Sequence, residues 1–543
     1  NHYPPWVSAW PDGWALACIA LAAICAREAV APARAWLLAV AVAGLSVLYQ
    51  WGTGKIAFGG DAIMVSLYLG AFVIALALGG GVTRRSNIST VTATPDAVSL
   101  FALGLLAAAV LSVAAALVQW TGVPLARGWV VDMPPGGRPF SNLAQPNHFS
   151  SAAFLGLIAA GVLREARHLG QVGFAAAATF MLLGIVMSGS RTGWLQMCLA
   201  ALIVAWYGAR LHLTIRLRHV VALALVGLAL QAAWSPLDSL LDRHVDRPLD
   251  EKLAAGARPA LWREMLGAVA KEPLAGFGWM QIGAAQQRVA PERPPQPAFF
   301  EHFDHAHNVV LDLVLWAGIP VGGLVVILAA AAIWQQLKRL DDPRALWLMI
   351  GVLGLVLHGL LEFPLTFAYF LVPAGVMLGM AAGLTTRVLA ASPAPSRLLP
   401  VGGAALALVL ALVTVDYLKV EENFRLARLE TARIGTSRVG TEVPDLRLLT
   451  QLGAYLRFVR TEARPAMSPD ELDWMGQVSR RFGYAPVLFR YALALGLNRR
   501  PEEAAATLKL LCHVHSRARC EEVREVWPSL QQRHPSLVAV PAP

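Results

Sequence analysis

From Trp14 to Tyr417 the chain alternates long apolar runs with short polar connections. The runs last about 17–22 residues, the length an α-helix needs to cross roughly 30 Å of hydrocarbon. The pattern predicts spans near 11–27, 35–51, 62–82, 97–120, 148–165, 172–189, 191–209, 219–235, 308–337, 345–361, 367–386 and 398–417. The expected fold is therefore an all-α, polytopic transmembrane helix bundle crossing the bilayer about twelve times. From Lys419 onward charges become dense and apolar positions recur at helical spacing. That change predicts a membrane domain over 1–417 and a water-soluble helical domain over 418–543.

In the tail, Ser468-Pro469-Asp470-Glu471 reads as a capping box with proline at the first helical position. The stretch LFRYALALGLNRRPEEAAATLKLL reads as a helical hairpin with small residues at the contact, and resembles a tetratricopeptide-type pair. One unit does not make an array, so the domain is expected to be α-helical without an assigned repeat.

Composition sharpens the assignment. The 543 residues are 56% hydrophobic and 15% charged, whereas soluble chains carry roughly a quarter charged residues. An ordinary cytosolic enzyme is excluded. The net charge of +10 comes from short basic clusters between apolar runs, without the stacking aromatics of a nucleic-acid groove. The partner these clusters imply is the lipid bilayer, not nucleic acid.

Alternate connections hold Arg27, Arg34, Arg84, Arg85, Arg164, Arg167, Arg210, Arg216, Arg218, Lys338, Arg339, Arg344, Arg387 and Arg397, fourteen basic residues, against only Lys55, Arg127, Arg138 and Arg191 in the short connections opposite. The positive-inside rule makes the first set cytoplasmic. Segments 121–147, 188–192 and 236–307 then emerge together on the outer face, as does the C-terminal domain. The 236–307 stretch, about 70 residues with helix-like pieces such as PALWREMLGAVA, is expected to be a structured insertion. The opening NHYPPW reads as an interfacial loop, which suggests one preceding span and roughly thirteen in the intact protein. Cys18, Cys25 and Cys198 lie in spans and are expected to pack, while Cys512 and Cys520, eight apart around an HSRAR bend, are a candidate disulfide in an oxidising compartment. Their spacing does not suggest zinc.

The unusual polar residues of the membrane half crowd the outer face. The loop Gly136-Gly137-Arg138-Pro139-Phe140-Ser141-Asn142-Leu143-Ala144-Gln145-Pro146-Asn147-His148 places Arg138, Asn142, Gln145, Asn147 and His148 at one membrane entrance. Asn147 as a helix cap explains part of this, but clustered polar side chains at this depth are costly unless used. Ser188-Gly189-Ser190-Arg191-Thr192 joins two spans almost without a loop, with Ser190 as the expected N-cap. A cation such as Arg191 at a helix N-terminus opposes the macrodipole and is better tolerated with an anionic ligand. Arg258 and Arg263 flank Trp262 in GARPALWREML. Glu301-His302-Phe303-Asp304-His305-Ala306-His307-Asn308 precedes a long span; it offers metal ligands, or a histidine acting as general base or acceptor aligner. His358, Glu362 and Tyr369 gather near a further outer end, where a pairing inside the bundle is the plainer alternative to function.

GRPFSNLAQPNHF, SGSRTGWL, the Arg-x3-Trp element, HAHNVVLDLVLWAGIP and LEFPLTFAYFLVP together resemble the bacterial O-antigen ligase and polymerase superfamily. Within it, NLAQPNH looks like the signature of protein O-oligosaccharyltransferases of the pilin-glycosylating type. The resemblance implies a metal-independent, GT-C-like membrane glycosyltransferase without a cofactor. It would take a glycan from undecaprenyl pyrophosphate and transfer it, with inversion, to serine or threonine of a periplasmic protein, at the outer face of the inner membrane. It also implies that Arg191 and Arg258 bind pyrophosphate, that His307 is the base or acceptor aligner, and that Gln145, Asn147 and His148 shape the acceptor or first-sugar site. Arg138, Asn142, Ser190, Trp262, His305, Asn308, Glu362 and Tyr369 are further substrate-binding candidates. Ligation onto lipopolysaccharide core and O-antigen polymerisation are the alternatives on the same fold. A lipid-linked oligosaccharide transporter would need polar residues through the bilayer depth, and the span middles are nearly free of charge.

Overall fold

A computed structural model describes the chain except residues 1–4, 27–28, 89–95, 124–127, 135, 144, 242–255, 257, 293–300, 386–396 and 432–442. Ala144 of the outer loop and the flanking Arg27, Arg127 and Arg387 lie outside the described residues. Among the described residues there are nineteen α-helices and no β-strand. The first eight are α1 (Ala9–Cys25), α2 (Arg34–Gly52), α3 (Gly59–Ile88), α4 (Ala97–Thr121), α5 (Pro146–Glu165), α6 (Gln171–Ser188), α7 (Arg191–Tyr207) and α8 (Leu217–Leu240). The insertion carries α9 (Arg258–Lys271) and α10 (Ile282–Val289), followed by α11 (Val309–Lys338), α12 (Pro343–Gly359), α13 (Ala368–Gly383) and α14 (Leu398–Thr431). The tail folds as α15 (Thr450–Arg460), α16 (Pro469–Arg481), α17 (Ala485–Leu497), α18 (Pro501–Val514) and α19 (Arg517–Arg533).

Every expected span coincides with a helix, the one over 308–337 with a helix that is broken. Eight of them, α2, α3, α4, α5, α6, α8, α11 and α14, are long and apolar enough to cross a membrane. The others, α1, α7, α12 and α13, have 16–17 residues, at the short limit of what a bilayer accepts. The chain is thus an all-α polytopic membrane protein. Two ends differ from expectation. α8 runs to Leu240 through Pro236, and α14 continues unbroken past 417 to Thr431, because its charged residues keep helical spacing beyond the apolar run.

The chain divides into two compact units. The first comprises residues 1–38, 68–254 and 328–410. Its central helix is α5, packed against α4, α6, α7 and α12, with Phe149, Phe154 and Ile158 fully buried. An apolar helix buried on nearly all sides is the expected hub of a membrane bundle. Close approach through small residues joins α3 to α13, since a Cβ at Gly79 would lie 2.5 Å from the Val376 carbonyl oxygen and one at Gly379 would lie 2.2 Å from that of Leu76. Such contacts let packing and backbone proximity replace the missing hydrophobic drive inside lipid. Cys18, Cys25 and Cys198, expected to pack, are instead exposed on their helices. A thiol is apolar enough to stand on a lipid-facing surface without a partner.

The second unit comprises 39–67, 255–327 and 411–543. Here the expected single span 308–337 is corrected: α11 is broken at Gly318, whose φ of 79° and ψ of 166° are not helical. The segment before α10 fills the break. Phe277 and Gly278 donate their amides to the carbonyls of Leu315 and Trp316 at 2.7 and 3.1 Å, and Ile319 N donates to Pro273 O at 2.7 Å. Gln50 Nε2 donates to Ala275 O and Trp316 O at 3.0 and 2.8 Å, while its Oε1 accepts from Trp279 N at 3.1 Å.

The tail helices bury two apolar clusters, one around Phe458, Leu472, Met475 and Val478 and one around Leu488, Leu495, Leu508 and Trp527. The capping box forms as expected: Ser468 Oγ accepts from Glu471 N at 3.2 Å, and Glu471 Oε2 accepts from Ser468 N at 3.0 Å. α17 and α18 form the expected hairpin, and Cys512 is joined to Cys520 by a disulfide.

Only glycine fits the break, because a Cβ at 318 would meet Leu274 O at 2.1 Å. Gly318→Ala is expected to cost about 1–3 kcal/mol from backbone strain alone. A lowered thermal midpoint of the purified protein in nanodiscs, beside an unchanged midpoint for Gly323→Ala on the same helix, checks this.

Candidate active site

In the first unit the outer loop is built around two amides. Gln119, near the end of α4, donates from Nε2 to Val131 O and Ser141 O at 2.8 and 2.6 Å. Its Oε1 accepts from Phe140 N and Ser141 N at 3.1 and 2.8 Å. Asn142 accepts from Val131 N at 2.9 Å and donates to Trp129 O at 2.7 Å. Its amide thus braces the loop. Arg138 Nη1 donates to the carbonyls of Ser188 and Gly189 at 3.0 and 3.1 Å. A guanidinium there offsets the negative end of α6 and ties the loop to the α6–α7 hairpin.

The loop delivers Gln145, Asn147 and His148 to the head of α5. Gln145 is the N-cap and Pro146 the first helical residue, so Asn147 is not the cap; its Nδ2 donates to Glu362 Oε1 at 3.1 Å. His148 is fully buried, 2.7 Å from Gln145 Nε2 through its Nε2 and 2.8 Å from Tyr369 Oη through its Nδ1. With the Gln145 amide nitrogen donating, the ring accepts at Nε2 and donates from Nδ1 to Tyr369. Phe363, Phe367, Phe370 and His358 surround the ring edge to face. Gln145, Asn147, His148, Glu362 and Tyr369, far apart in sequence, therefore form one constellation.

Ser190 is the N-cap of α7, yet its buried Oγ has no hydrogen-bond partner. Arg191 follows as the exposed first residue of that helix. Helix-end amides, a buried hydroxyl and a guanidinium are together suited to an anion.

In the second unit the histidine segment is fastened along its length. Gln286 accepts from Phe303 N at 3.0 Å and donates to Glu301 O at 3.0 Å. Ala306 N donates to Asp312 Oδ1 at 2.7 Å, and Ala306 O accepts from Trp262 Nε1 at 2.9 Å. Asn308 Oδ1 caps α11 by accepting from Val310 N and Leu311 N at 3.0 and 3.1 Å. His305 Nδ1 stands 3.7 Å from Asp312 Oδ2. Between these anchors His307 holds a φ of 54°, rare for a side-chain-bearing residue. Arg258 begins α9 four residues before Trp262, on the same helix face, and Trp262 bonds the carbonyl just before His307. That bond ties α9 to the histidine segment.

Around Asp304 lies a charged network. Arg481 grips Asp61 with Nε and Nη2 at 2.9 and 3.2 Å and reaches Asp304 with Nη1 at 3.4 Å. Tyr484 Oη is 3.4 Å from Asp304 Oδ2, and His302 Nε2 is 3.5 Å from Asp304 Oδ1. The Asp304 side chain is 43% exposed, and the Arg481 guanidinium and the His302 ring beside it hold its carboxyl below the usual range. Among the described residues no three His, Cys, Asp or Glu converge as metal ligands would.

Residues 176–326 match the O-antigen ligase family, and 345–528 match the C-terminal region of virulence-factor membrane-bound polymerases. The chain is similar to a general O-oligosaccharyltransferase of Acinetobacter baylyi, with 27% identity over 95% of this chain and 90% of the relative. The expected resemblance to the O-antigen ligase and polymerase superfamily is thus met by two family models over separate parts of the chain and by this relative. It is also similar to a ComP-specific O-oligosaccharyltransferase of the same organism, with 29% identity over 45% of this chain and 44% of the relative. Both relatives are named as O-oligosaccharyltransferases, which agrees with the expected glycosyltransferase activity.

The sequence pattern missed several polar residues that tie the helices of the first unit together. Asp12, buried in α1, accepts from Ser8 Oγ at 2.6 Å, Tyr68 Oη at 2.8 Å and Tyr369 N at 3.3 Å, holding the start of α13. Ser151 links His358 at 2.8 Å to Gln196. Gln119 and Asp12 were visible as lone polar residues at the ends of apolar runs, a position that signals use.

His515 in the tail donates from Nε2 to Gly483 O at 2.8 Å. Burial is the main force pushing its pKa down from 6.5 to about 4. Between those values the unfolded chain binds a proton that the folded one refuses, so stability is full above about pH 6.5 and is lost as pH falls toward 4. The expected loss is roughly 3 kcal/mol at most. Thermal midpoints measured from pH 7 to 4 should fall less steeply in His515→Gln, which keeps a donor but does not titrate.

Proposed function

We propose that the protein transfers a preassembled glycan en bloc from undecaprenyl pyrophosphate to serine or threonine hydroxyls of periplasmic proteins, pilin among them. It acts from the bacterial inner membrane with its reacting groups facing the periplasm. The observation that carries this reading is the similarity to a general O-oligosaccharyltransferase across nearly the whole chain. The one-sided placement of the polar loops agrees with it.

The chemistry follows from what the displacement requires. The acceptor hydroxyl attacks the anomeric carbon and inverts it; the carbon–oxygen bond to the pyrophosphate breaks, and the lipid leaves as an anion. His307 takes or aligns the hydroxyl proton. Arg191 and Arg258 bind the pyrophosphate, and charge-assisted hydrogen bonds to them offset the charge that grows as the bond breaks, so neither metal nor cofactor is required. Gln145, Asn147, His148, Glu362 and Tyr369 shape the acceptor or first-sugar site, with Arg138 and Asn142 holding their loop. Ser190, Trp262, His305 and Asn308 complete the donor side and the mounting of His307.

A second reading, ligation to lipopolysaccharide core or polymerisation of O-antigen units, is favoured by the polymerase match over 345–528. Reconstitution with lipid-linked oligosaccharide and a panel of pilin, periplasmic protein and lipopolysaccharide-core acceptors separates the two. Mass spectrometry is expected to find glycosylated serine or threonine peptides without added divalent metal. His307→Ala should lower transfer roughly 100-fold or more, and Arg191→Ala or Arg258→Ala should each lower it about 100-fold. Full activity in His307→Ala, or product on the lipopolysaccharide core alone, would refute the proposal.

A further inference from the structure

The tail helices carry a group that reaches the histidine segment from the far end of the chain. Arg481 is the last residue of α16, its side chain only 10% exposed. It holds Asp61, at the head of α3, through two bonds and spends its third nitrogen on Asp304. Asp304 lies three residues before His307. The neighbouring Gly483-Tyr484 turn adds to the grip. Tyr484 Oη meets Asp304, and the Tyr484 and His302 rings meet edge to face at 5.0 Å. A Cβ at Gly483 would come within 2.9 Å of the His302 ring. The turn itself is fixed from behind, since His515, inside the loop closed by Cys512 and Cys520, donates to Gly483 O. On α10, Gln287 donates to the carbonyls of Ser479 and Arg480 at 3.0 and 3.1 Å.

A guanidinium answering two carboxylates makes a directional polar joint, because its fork sets direction as well as charge. Burial makes the joint demanding, since a guanidinium removed from Asp61 leaves a desolvated carboxylate without its counter-ion. Such a group is an expensive way to attach tail helices that two apolar clusters already hold, one of them taking in Phe58. It is well suited to fixing the direction of a short segment whose histidine holds a left-handed backbone.

We propose that Arg481 is a positioning residue for the transfer reaction, acting through Asp304 to hold the 301–308 segment in the geometry that presents His307. This rests on the reading of His307 as the reacting histidine. The tail helices are on this account part of the catalytic apparatus, without touching substrate.

The test uses the full chain in nanodiscs and two readouts. Hydrogen exchange followed at the Phe303 and Ala306 amides reports the segment whatever the reaction is. Transfer from undecaprenyl-pyrophosphate-linked oligosaccharide to pilin, resolved into kcat and KM, reports the consequence. Arg481→Gln and the milder Asp304→Asn, which leaves the Arg481–Asp61 pair in place, are expected to speed exchange at those amides about 10-fold or more. Both should lower kcat about 10-fold while the donor KM stays within about twofold. Leu508→Ala, in the remote apolar cluster, should lower the thermal midpoint but leave segment exchange and kcat unchanged. Unchanged exchange or kcat in Asp304→Asn, or an equal loss of kcat in Leu508→Ala, overturns the inference. If His307→Ala retains activity while exchange responds as expected, the catalytic reading of His307 has failed and the mechanical link has not.

Discussion

Much of the second unit depends on how the break in α11 is satisfied. A backbone interrupted at Gly318 strands carbonyls that a membrane protein cannot leave bare, because no water is present in hydrocarbon to take them. The chain answers with itself: the Pro273–Gly278 segment lies against the break, and Gln50 bridges both. Once this joint exists, α9 and α10 are pinned on either side of it. The nine-residue piece of α11 before Gly318 becomes a short, rigid mount for the histidine segment. Asp312 on that mount reaches back to Ala306 N and stands near His305. The broken helix is therefore the base from which His307 is carried.

The first unit solves a parallel problem in another way. Its hub, α5, is buried nearly all round, and polar residues at the head of a buried helix must find partners within the bundle. His148 finds Gln145 and Tyr369; Asn147 finds Glu362; Ser151 finds His358 and Gln196. Asp12 fastens Tyr369 from α1. Such a network is costly when incomplete and rigid when complete.

The helices were legible in the sequence because the bilayer imposes their length: a run of apolar residues long enough to span can do little else. Much of the constellation at the head of α5 was legible too, since Gln145, Asn147, His148, Glu362 and Tyr369 are polar residues placed at membrane ends where solvation alone does not explain them. The break at Gly318 was not, for glycine followed by Ile319 and Pro320 in an apolar run is compatible with an uninterrupted or merely kinked helix. Nor was the use of Arg138 and Asn142. Their spacing marks them as polar at the entrance, but whether such a side chain faces a ligand or a backbone carbonyl depends on partners 50 and 13 residues away. Arg481 and Asp61, 420 residues apart, lie beyond any local pattern.

The two loops share one physical device. Each contains a side-chain-bearing residue in the left-handed region, Ser141 at φ 57° and His307 at φ 54°. Each such position costs about 1–3 kcal/mol and persists only where the surroundings over-determine it. In the first loop both polar backbone groups of Ser141 are bonded by the single amide of Gln119. In the second, both backbone groups of Ala306, the residue before His307, are bonded by Asp312 and Trp262. A peptide held at both its amide and its carbonyl cannot swing, and two hydrogen bonds of about 0.5–1.5 kcal/mol each are comparable with the strain they oppose. Both clamping groups that act on Ser141 belong to one transmembrane helix end, whereas those acting on Ala306 come from two different helices, α9 and α11. The His307 segment thus depends on the mutual placement of more elements than the Ser141 loop does, and it is the segment to which the tail helices add a further hold.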